Sequence, residues 1–173
     1  MLAAVRRRQM VGWITLASGL VPAVAGAAPL VLTEHGVPGL TIGRTLAAVR
    51  ADGLVGKLSP GCELASPRPS FAPLRAPLVG SVEFDGSGPK AKLITLNITK
   101  GAMTDRGIRI GASAAAVRRA YPKARVEHSA APNPLEYDAI VVTRGGEDRI
   151  WFLLNKRGGH VQSMSLPGAN FCE

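Results

Sequence analysis

The sequence has few of the side chains on which enzymes usually depend. Its 173 residues include only two cysteines and three histidines, and the spacings H-x-x-H, C-x-x-C and G-x-S-x-G do not occur. A cysteine-rich scaffold is therefore excluded, and no motif indicates a metal site, a redox dithiol or a serine nucleophile. Acidic side chains are also scarce, because 12 of them stand against 21 lysines and arginines.

No acidic residue precedes Glu34, and this first part of the chain has the composition of an export signal. Arginines occupy positions 6–8, an apolar run covers positions 10–20, and small residues fill positions 23–27. A basic segment, an apolar segment and a small-residue cleavage site are the three parts of a secretory signal peptide. We therefore predict a signal peptide over residues 1–27, cleaved between Ala27 and Ala28, and a single secreted domain over residues 28–173.

Three alternatives to this prediction stay open. Cleavage could follow Ala25 instead of Ala27. The uncharged stretch between Arg8 and Glu34 is long enough to span a bilayer as an uncleaved anchor, although Pro22 interrupts it. The adjacent arginines are also similar to a twin-arginine signal, which exports folded proteins. The predicted localisation of the secreted domain is periplasmic or extracellular.

The two cysteines, Cys62 and Cys172, both follow the export segment. An even count in an oxidising compartment predicts one disulfide, with a metal-binding or catalytic pair as the rival interpretation. In the chain-entropy model a closed loop of this length contributes about 4–5 kcal/mol of stability. Intact mass before and after reduction tests the prediction, since a joined pair gains hydrogens on reduction and free thiols in freshly exported protein would refute it.

Residues 1–27 carry three arginines and no acidic residue, so their removal lowers the net charge from +9 to about +6, which still favours anionic partners such as lipid headgroups, acidic glycans or acidic proteins. The basic residues of the domain are scattered from Arg44 to Arg157, and no DNA- or RNA-binding motif is present. We therefore expect no nucleic-acid partner.

Two parts of the chain resemble each other at an offset of 68 residues. Residues 40–50 match residues 108–118, and the apolar pairs that follow each segment match at the same offset. Each copy predicts an extended piece, an N-cap at Thr45 or Ser113, and a short alanine-rich helix followed by antiparallel strands. The predicted fold class is α+β, with two copies of this short-helix-plus-antiparallel-strands unit, about 33–99 and 104–167, packed into one domain.

Alternation of apolar residues predicts the individual strands and their faces. The proline-rich stretch 67–77 is predicted to be a loop. Trp151, Leu153 and Val161 are predicted to lie on the face opposite the helices, where an apolar patch would mark a contact site. The alternative is that a loop, such as the proline-rich one, covers Trp151. The predicted strands cover residues 62–65, 80–84, 93–98, 124–127, 137–143, 149–154 and 161–166.

The motif that opens each copy is G-[IL]-x-[IV]-G-x-[ST]-x-x-x-V, found at residues 39–49 and 107–117. A two-copy unit with this start resembles the tandem-repeat fold of the β-lactamase-inhibitory protein, whose single-copy relatives are the small outer-membrane assembly lipoproteins. The second copy with Tyr121-Pro122 is also similar to secreted bacterial proteins. The resemblance implies an architecture only. It carries no contact residue to this chain, and the lipid-anchoring cysteine of the lipoproteins is missing.

No catalytic site is predicted, because His35, His128 and His160 stand alone and no pair of carboxylates is selected by its spacing. We expect no cofactor and no metal. The predicted function is that of an exported non-enzymatic binding module, with an inhibitor as one form of it, whose partner is an extracytoplasmic protein. The alternative is an envelope-associated structural protein that binds anionic lipid or a cell-wall polymer. A small hydrolase that uses one of the histidines is the third hypothesis.

Overall fold

An antiparallel sheet of eight strands dominates the protein. The computed structural model describes residues 28–61, 68–128, 138–155 and 159–168, of which 51% lie in strands and 11% in helices. The predicted signal peptide, including Ala27, and both cysteines of the predicted disulfide, Cys62 and Cys172, lie outside the described residues. Ala28, on the other side of the predicted cleavage, is exposed.

The elements are short and follow one another closely along the chain. They are β1 (Leu30–Leu32), β2 (Gly36–Val37), β3 (Leu40–Thr41), α1 (Leu46–Ala51), β4 (Ser59–Pro60), β5 (Ser70–Pro73), β6 (Val79–Phe84), β7 (Leu93–Lys100), β8 (Ala102–Thr104), α2 (Ala114–Ala120), β9 (Arg125–His128), β10 (Asp138–Arg144), β11 (Glu147–Leu154) and β12 (Val161–Leu166).

The order of strands in the large sheet is β4-β5-β6-β7-β12-β11-β10-β9, and every neighbouring pair is antiparallel. Two smaller pairings accompany it: β1 runs parallel to β8, and β2 forms a tight antiparallel pair with β3. Neighbours in the sequence are neighbours in the sheet except at its centre, where β7 pairs with β12.

The prediction of an α+β fold made of two packed helix-plus-strands units is wrong. The described part of the chain is mostly β, with one large sheet and two helices of six and seven residues. The reason is the central pairing, in which Leu96 and Ile98 of β7 lie opposite Leu166 and Met164 of β12. This pairing joins strands from both halves of the chain edge to edge, and local patterns carry no information about it.

The two helix starts are nevertheless built alike, as the sequence similarity predicts. The Thr45 hydroxyl accepts a hydrogen bond from the Ala48 N–H at 3.4 Å, and the Ser113 hydroxyl accepts one from the Ala116 N–H at 3.2 Å. Each hydroxyl satisfies a backbone donor that has no partner inside the helix. The predicted N-caps are confirmed.

An equivalent backbone hydrogen bond in the two copies also anchors each helix start to the sheet. The Gly43 N–H donates to the Leu93 carbonyl at 2.7 Å, and the Gly111 N–H donates to the Val161 carbonyl at 2.8 Å. The two donors, like the two acceptors, are 68 residues apart. The similarity within the sequence therefore marks a shared way of attaching a short helix to a long strand.

The main core contains the inner residues of both helices and one face of the sheet. Leu46 and Val49 of α1 and Val117 of α2 are fully buried in the same cluster as Phe84 and Phe152. Burial of such apolar side chains is the main source of folding free energy. The predicted inner faces of the helices and of these strands are confirmed.

The predicted loop over residues 67–77 contains a strand instead. In β5 the buried residues Ser70 and Ala72 alternate with the exposed residues Phe71 and Pro73. The prolines flanking this alternation suggested a loop, but Pro73 ends the strand, where the missing backbone N–H costs little. The structure thus adds a strand between β4 and β6.

Candidate functional site

The predicted contact face is mostly buried. Leu153 is 8% exposed and packs with Ala139 and Val141 in a second, smaller apolar cluster, against which the half-buried Trp151 lies. A methyl group added at Gly168 would lie 3.8 Å from the Trp151 ring nitrogen, so the backbone passes beside the indole. These contacts make the Trp151 region a packed cluster and leave little open apolar surface.

Val161 does not belong to this face. It is 2% exposed and lies in the main core under the helices. The cause is a register shift in the β11–β12 pair, where Leu153 lies opposite Ser163 but Leu154 lies opposite Val161. Such an irregularity reverses the alternation of faces, so a count by twos along the sequence placed Val161 on the wrong side.

The three histidines are exposed and lie in separate parts of the structure. The His128 Nδ1 atom lies 2.6 Å from an oxygen of Asp138, its partner across the β9–β10 pair, while His35 follows β1 and His160 precedes β12. Among the described residues no group of three metal-ligating side chains comes together. Within the same residues no helix has the length and apolar character needed to cross a membrane.

A cavity of about 470 Å³ lies beside the end of α2, which is within the usual size of small-molecule sites. Four separate parts of the chain form it: the turn after β1, the loop after β8, the end of α2 with the turn that follows, and the neighbouring strands β10 and β11. Its lining consists of Glu34, Asp105, Arg106, Tyr121, Pro122, Lys123, Ala124, Val142, Thr143, Arg144 and Ile150.

Tyr121 forms the buried wall of this cavity. Pro122 ends α2 at this residue, since the position before a proline avoids helical angles. The Tyr121 ring packs against Phe152 with centroids 5.5 Å apart, and its hydroxyl donates a hydrogen bond to Asp105 at 3.2 Å. Burial raises the pKa of Tyr121 to about 12, so at neutral pH the hydroxyl keeps its proton and acts as a donor.

Arg106 links the cavity wall to the helix end. Its guanidinium carbon lies 4.9 Å from the centroid of the Tyr121 ring, which is a favourable cation–π arrangement. One of its Nη atoms donates to the Ala120 carbonyl at 2.6 Å. A cation at this position satisfies a carbonyl at the C-terminal end of α2 and complements the helix dipole there.

An ion pair connects the opposite side of the cavity to the N-terminal part of the chain. The Arg144 Nη1 atom of β10 donates to the two carboxylate oxygens of Glu34, at 3.2 and 3.4 Å. Glu34 lies in the turn after β1, 110 residues earlier. The pair therefore places a carboxylate and a largely exposed guanidinium side by side at the rim.

The rest of the lining combines one unpaired cation with an apolar surface. Lys123 is exposed and, among the described residues, makes no hydrogen bond or ion pair. Pro122, Ala124, Val142 and Ile150 supply apolar contacts beside it. A concave site with apolar walls and a few fixed polar groups is the usual form of a ligand-binding pocket.

Sequence patterns indicate the local structure around some residues of this cavity, but they do not predict that these residues lie together. The dipeptide Tyr121-Pro122 is typical of a helix end, and Glu34 and Asp105 lie in segments typical of turns. The available signal was the set of charged residues on both sides of α2, namely Asp105-Arg106 in the loop that precedes it and Lys123 after it. Comparison of the chain with protein-family models, with curated proteins and with solved structures finds no match, so its function has to be inferred from the cavity and its charges.

Proposed function

We propose that the protein is an exported, non-enzymatic binding module whose ligand site is the cavity beside α2. The observation that carries the proposal is a cavity of small-molecule size in which two polar side chains, Tyr121 and Arg106, are already held by contacts within the protein. Tyr121 is held by Asp105 and Arg106 by the Ala120 carbonyl, whereas Arg144 makes a weaker and largely exposed ion pair with Glu34. Groups fixed before binding lose little conformational freedom when a ligand arrives, which favours affinity.

The chemistry of the lining supports binding over turnover. The described lining contains no serine, cysteine or histidine, the side chains that most often act as nucleophile or general base. Its carboxylates, Glu34 and Asp105, each interact with another group of the wall. The described lining therefore offers no catalytic arrangement based on serine, cysteine or histidine, and we assign its polar groups to binding.

The cavity also supports binding better than the cluster around Trp151 does. Leu153 and its neighbours in that cluster are buried against each other, which leaves mainly the indole available to a partner. The cavity lining, by contrast, includes several hydrogen-bonding side chains and the exposed residue Lys123. Concave sites of this kind bury a larger share of a ligand than a single half-buried side chain can.

The proposal is tested by affinity capture with variants that distinguish the cavity from the cluster around Trp151. The purified protein is immobilised and exposed to the periplasmic and secreted fractions of its source, and retained proteins, lipids and small molecules are identified by mass spectrometry. Thr143→Trp fills the cavity from an exposed strand position, and Thr41→Trp makes the same change at an exposed strand position elsewhere. Trp151→Ala removes the indole of the other cluster.

We expect a ligand that the unchanged protein and Thr41→Trp retain and that Thr143→Trp loses. Trp151→Ala should bind this ligand normally while being less stable, because its ring packs against the second cluster. Binding that survives Thr143→Trp but not Trp151→Ala would move the site to the indole. Retention of anionic lipid or glycan by every variant alike, abolished by salt, would favour the envelope-associated alternative, since screening weakens a diffuse surface attraction.

A further inference from the structure

The charges of the cavity wall do not cancel. Three cations, Arg106, Lys123 and Arg144, face two carboxylates, Glu34 and Asp105. Asp105 accepts the Tyr121 hydroxyl and Glu34 lies on Arg144, so both negative charges are already engaged by the wall. A neutral tyrosine adds no further negative charge. The unengaged charge is the ammonium of Lys123, which leaves the cavity electropositive.

Glu34 shows that a carboxylate fits against Arg144. Both of its oxygens lie within reach of the same nitrogen, at 3.2 and 3.4 Å. Charge-assisted hydrogen bonds of full strength are shorter, at about 2.7–2.9 Å. Arg144 is also largely exposed, so this ion pair is weak and its guanidinium retains donors for a second carboxylate.

The apolar part of the lining adds a second requirement on the ligand. Pro122 and Ala124 from the turn after α2, and Val142 from β10, line the same cavity, with the nearly buried Ile150 of β11 beneath them. A small inorganic ion would leave this surface in contact with water. A ligand with an apolar body would cover it and gain the free energy of its burial.

We infer that the cavity binds a small organic acid, with its carboxylate on Lys123 and Arg144 and its apolar body against Pro122, Ala124, Val142 and Ile150. This inference rests on the proposed function, because it names the class of ligand for the same site. The carboxylate is chosen over phosphate because its single negative charge balances the one excess cation of the lining, whereas a phosphate group carries up to two. The requirement for an apolar body distinguishes binding in the cavity from a purely electrostatic attraction to the basic surface.

Four probes separate the two requirements in titration calorimetry on the full protein. Phenylacetate has both the carboxylate and an apolar body, phenylacetamide lacks the charge, acetate lacks the ring, and phenyl phosphate replaces the carboxylate. Loss of the charge should weaken binding about tenfold or more, since hydrogen bonds to charged groups contribute about 1.5–3 kcal/mol. Loss of the ring should weaken it by a similar factor.

Substitutions at the rim should change phenylacetate affinity in opposite directions. Lys123→Gln and Arg144→Gln should each weaken binding about tenfold, because each removes a partner of the carboxylate. Glu34→Gln should strengthen binding about two- to fivefold, because it removes a competing and repelling carboxylate. The matched controls, Lys90→Gln and Asp52→Asn, change the same charges away from the cavity and should leave affinity unchanged. Asp52 is suited to this role because it forms a comparable ion pair with Arg44.

The results distinguish failure of this inference from failure of the proposed function. Phenylacetamide binding as tightly as phenylacetate, or phenyl phosphate binding more tightly, would overturn the carboxylate assignment. Equal effects of Glu34→Gln and Asp52→Asn would show a general surface attraction and overturn it as well. Capture that depends on Thr143 while phenylacetate fails to bind would leave the binding function standing with a different class of ligand. If capture did not depend on Thr143 and phenylacetate also failed to bind, the cavity would be excluded as a binding site.

Discussion

Replacing Phe152 with alanine should lower the free energy of unfolding by about 3–5 kcal/mol. Phe152 is fully buried near the middle of β11, opposite Ile140 of β10 on one side and Met164 of β12 on the other. Its ring also supports Tyr121, with centroids 5.5 Å apart. Truncation removes a large apolar group and leaves a cavity that strands held by hydrogen bonds on both sides cannot close.

Urea denaturation followed by circular dichroism measures this loss, and Phe71→Ala is the matched control. Phe71 lies in another strand of the same sheet but is 41% exposed, so its removal should cost much less. Phe152→Ala should also weaken binding in the cavity, because Tyr121 loses the ring that holds it. A destabilisation no greater than that of Phe71→Ala would contradict the packing described for β11.

Replacing Gly80 with alanine is the second change with a large expected effect, about 3 kcal/mol or more in the free energy of unfolding. Gly80 has φ of +144°, a conformation that side chains rarely adopt, and it lies at a register shift in the β6–β7 pair. A Cβ atom there would overlap the carbonyl oxygen of Asn97 on the neighbouring strand. Because that oxygen belongs to a backbone held in the sheet, the two strands would have to separate.

Gly88→Ala is the control, because it lies in the turn between the same two strands with open space around it. Its effect should stay within about 0.5 kcal/mol, as for most surface substitutions. Comparison of the two melting curves isolates the clash from the general effect of adding a methyl group. Similar curves for both variants would show that β6 and β7 can separate at Gly80 without cost.

An electropositive cavity with an apolar wall, as proposed above, would let a basic protein select among anions. A net charge of +9 attracts anions of many kinds, but scattered charges attract them without preference. The cavity lining places Arg144 and the exposed Lys123 together with apolar side chains. Charge therefore draws the ligand in, and the adjacent apolar wall decides which anions remain bound.

The sequence did not predict this site, and the reason is physical. Glu34 and Arg144 are 110 residues apart, and their contact depends on where β1 and β10 lie in the folded chain. No spacing rule connects such residues, in contrast to ligands that lie on one helix or one strand. The cluster that sequence alternation did find, around Trp151 and Leu153, is real but mostly buried.

The sequence by itself determined the local features, namely the Thr45 and Ser113 N-caps, the buried sides of both helices and most of the long strands. Each depends on residues within a few positions of one another, where hydrogen bonding and alternation act directly. Only the tertiary structure decided that β7 pairs with β12, that the Val161 side chain is buried in the main core, and that Glu34 forms an ion pair with Arg144 beside α2. These outcomes depend on register and on contacts between distant segments, which are selected by the packing of the whole sheet.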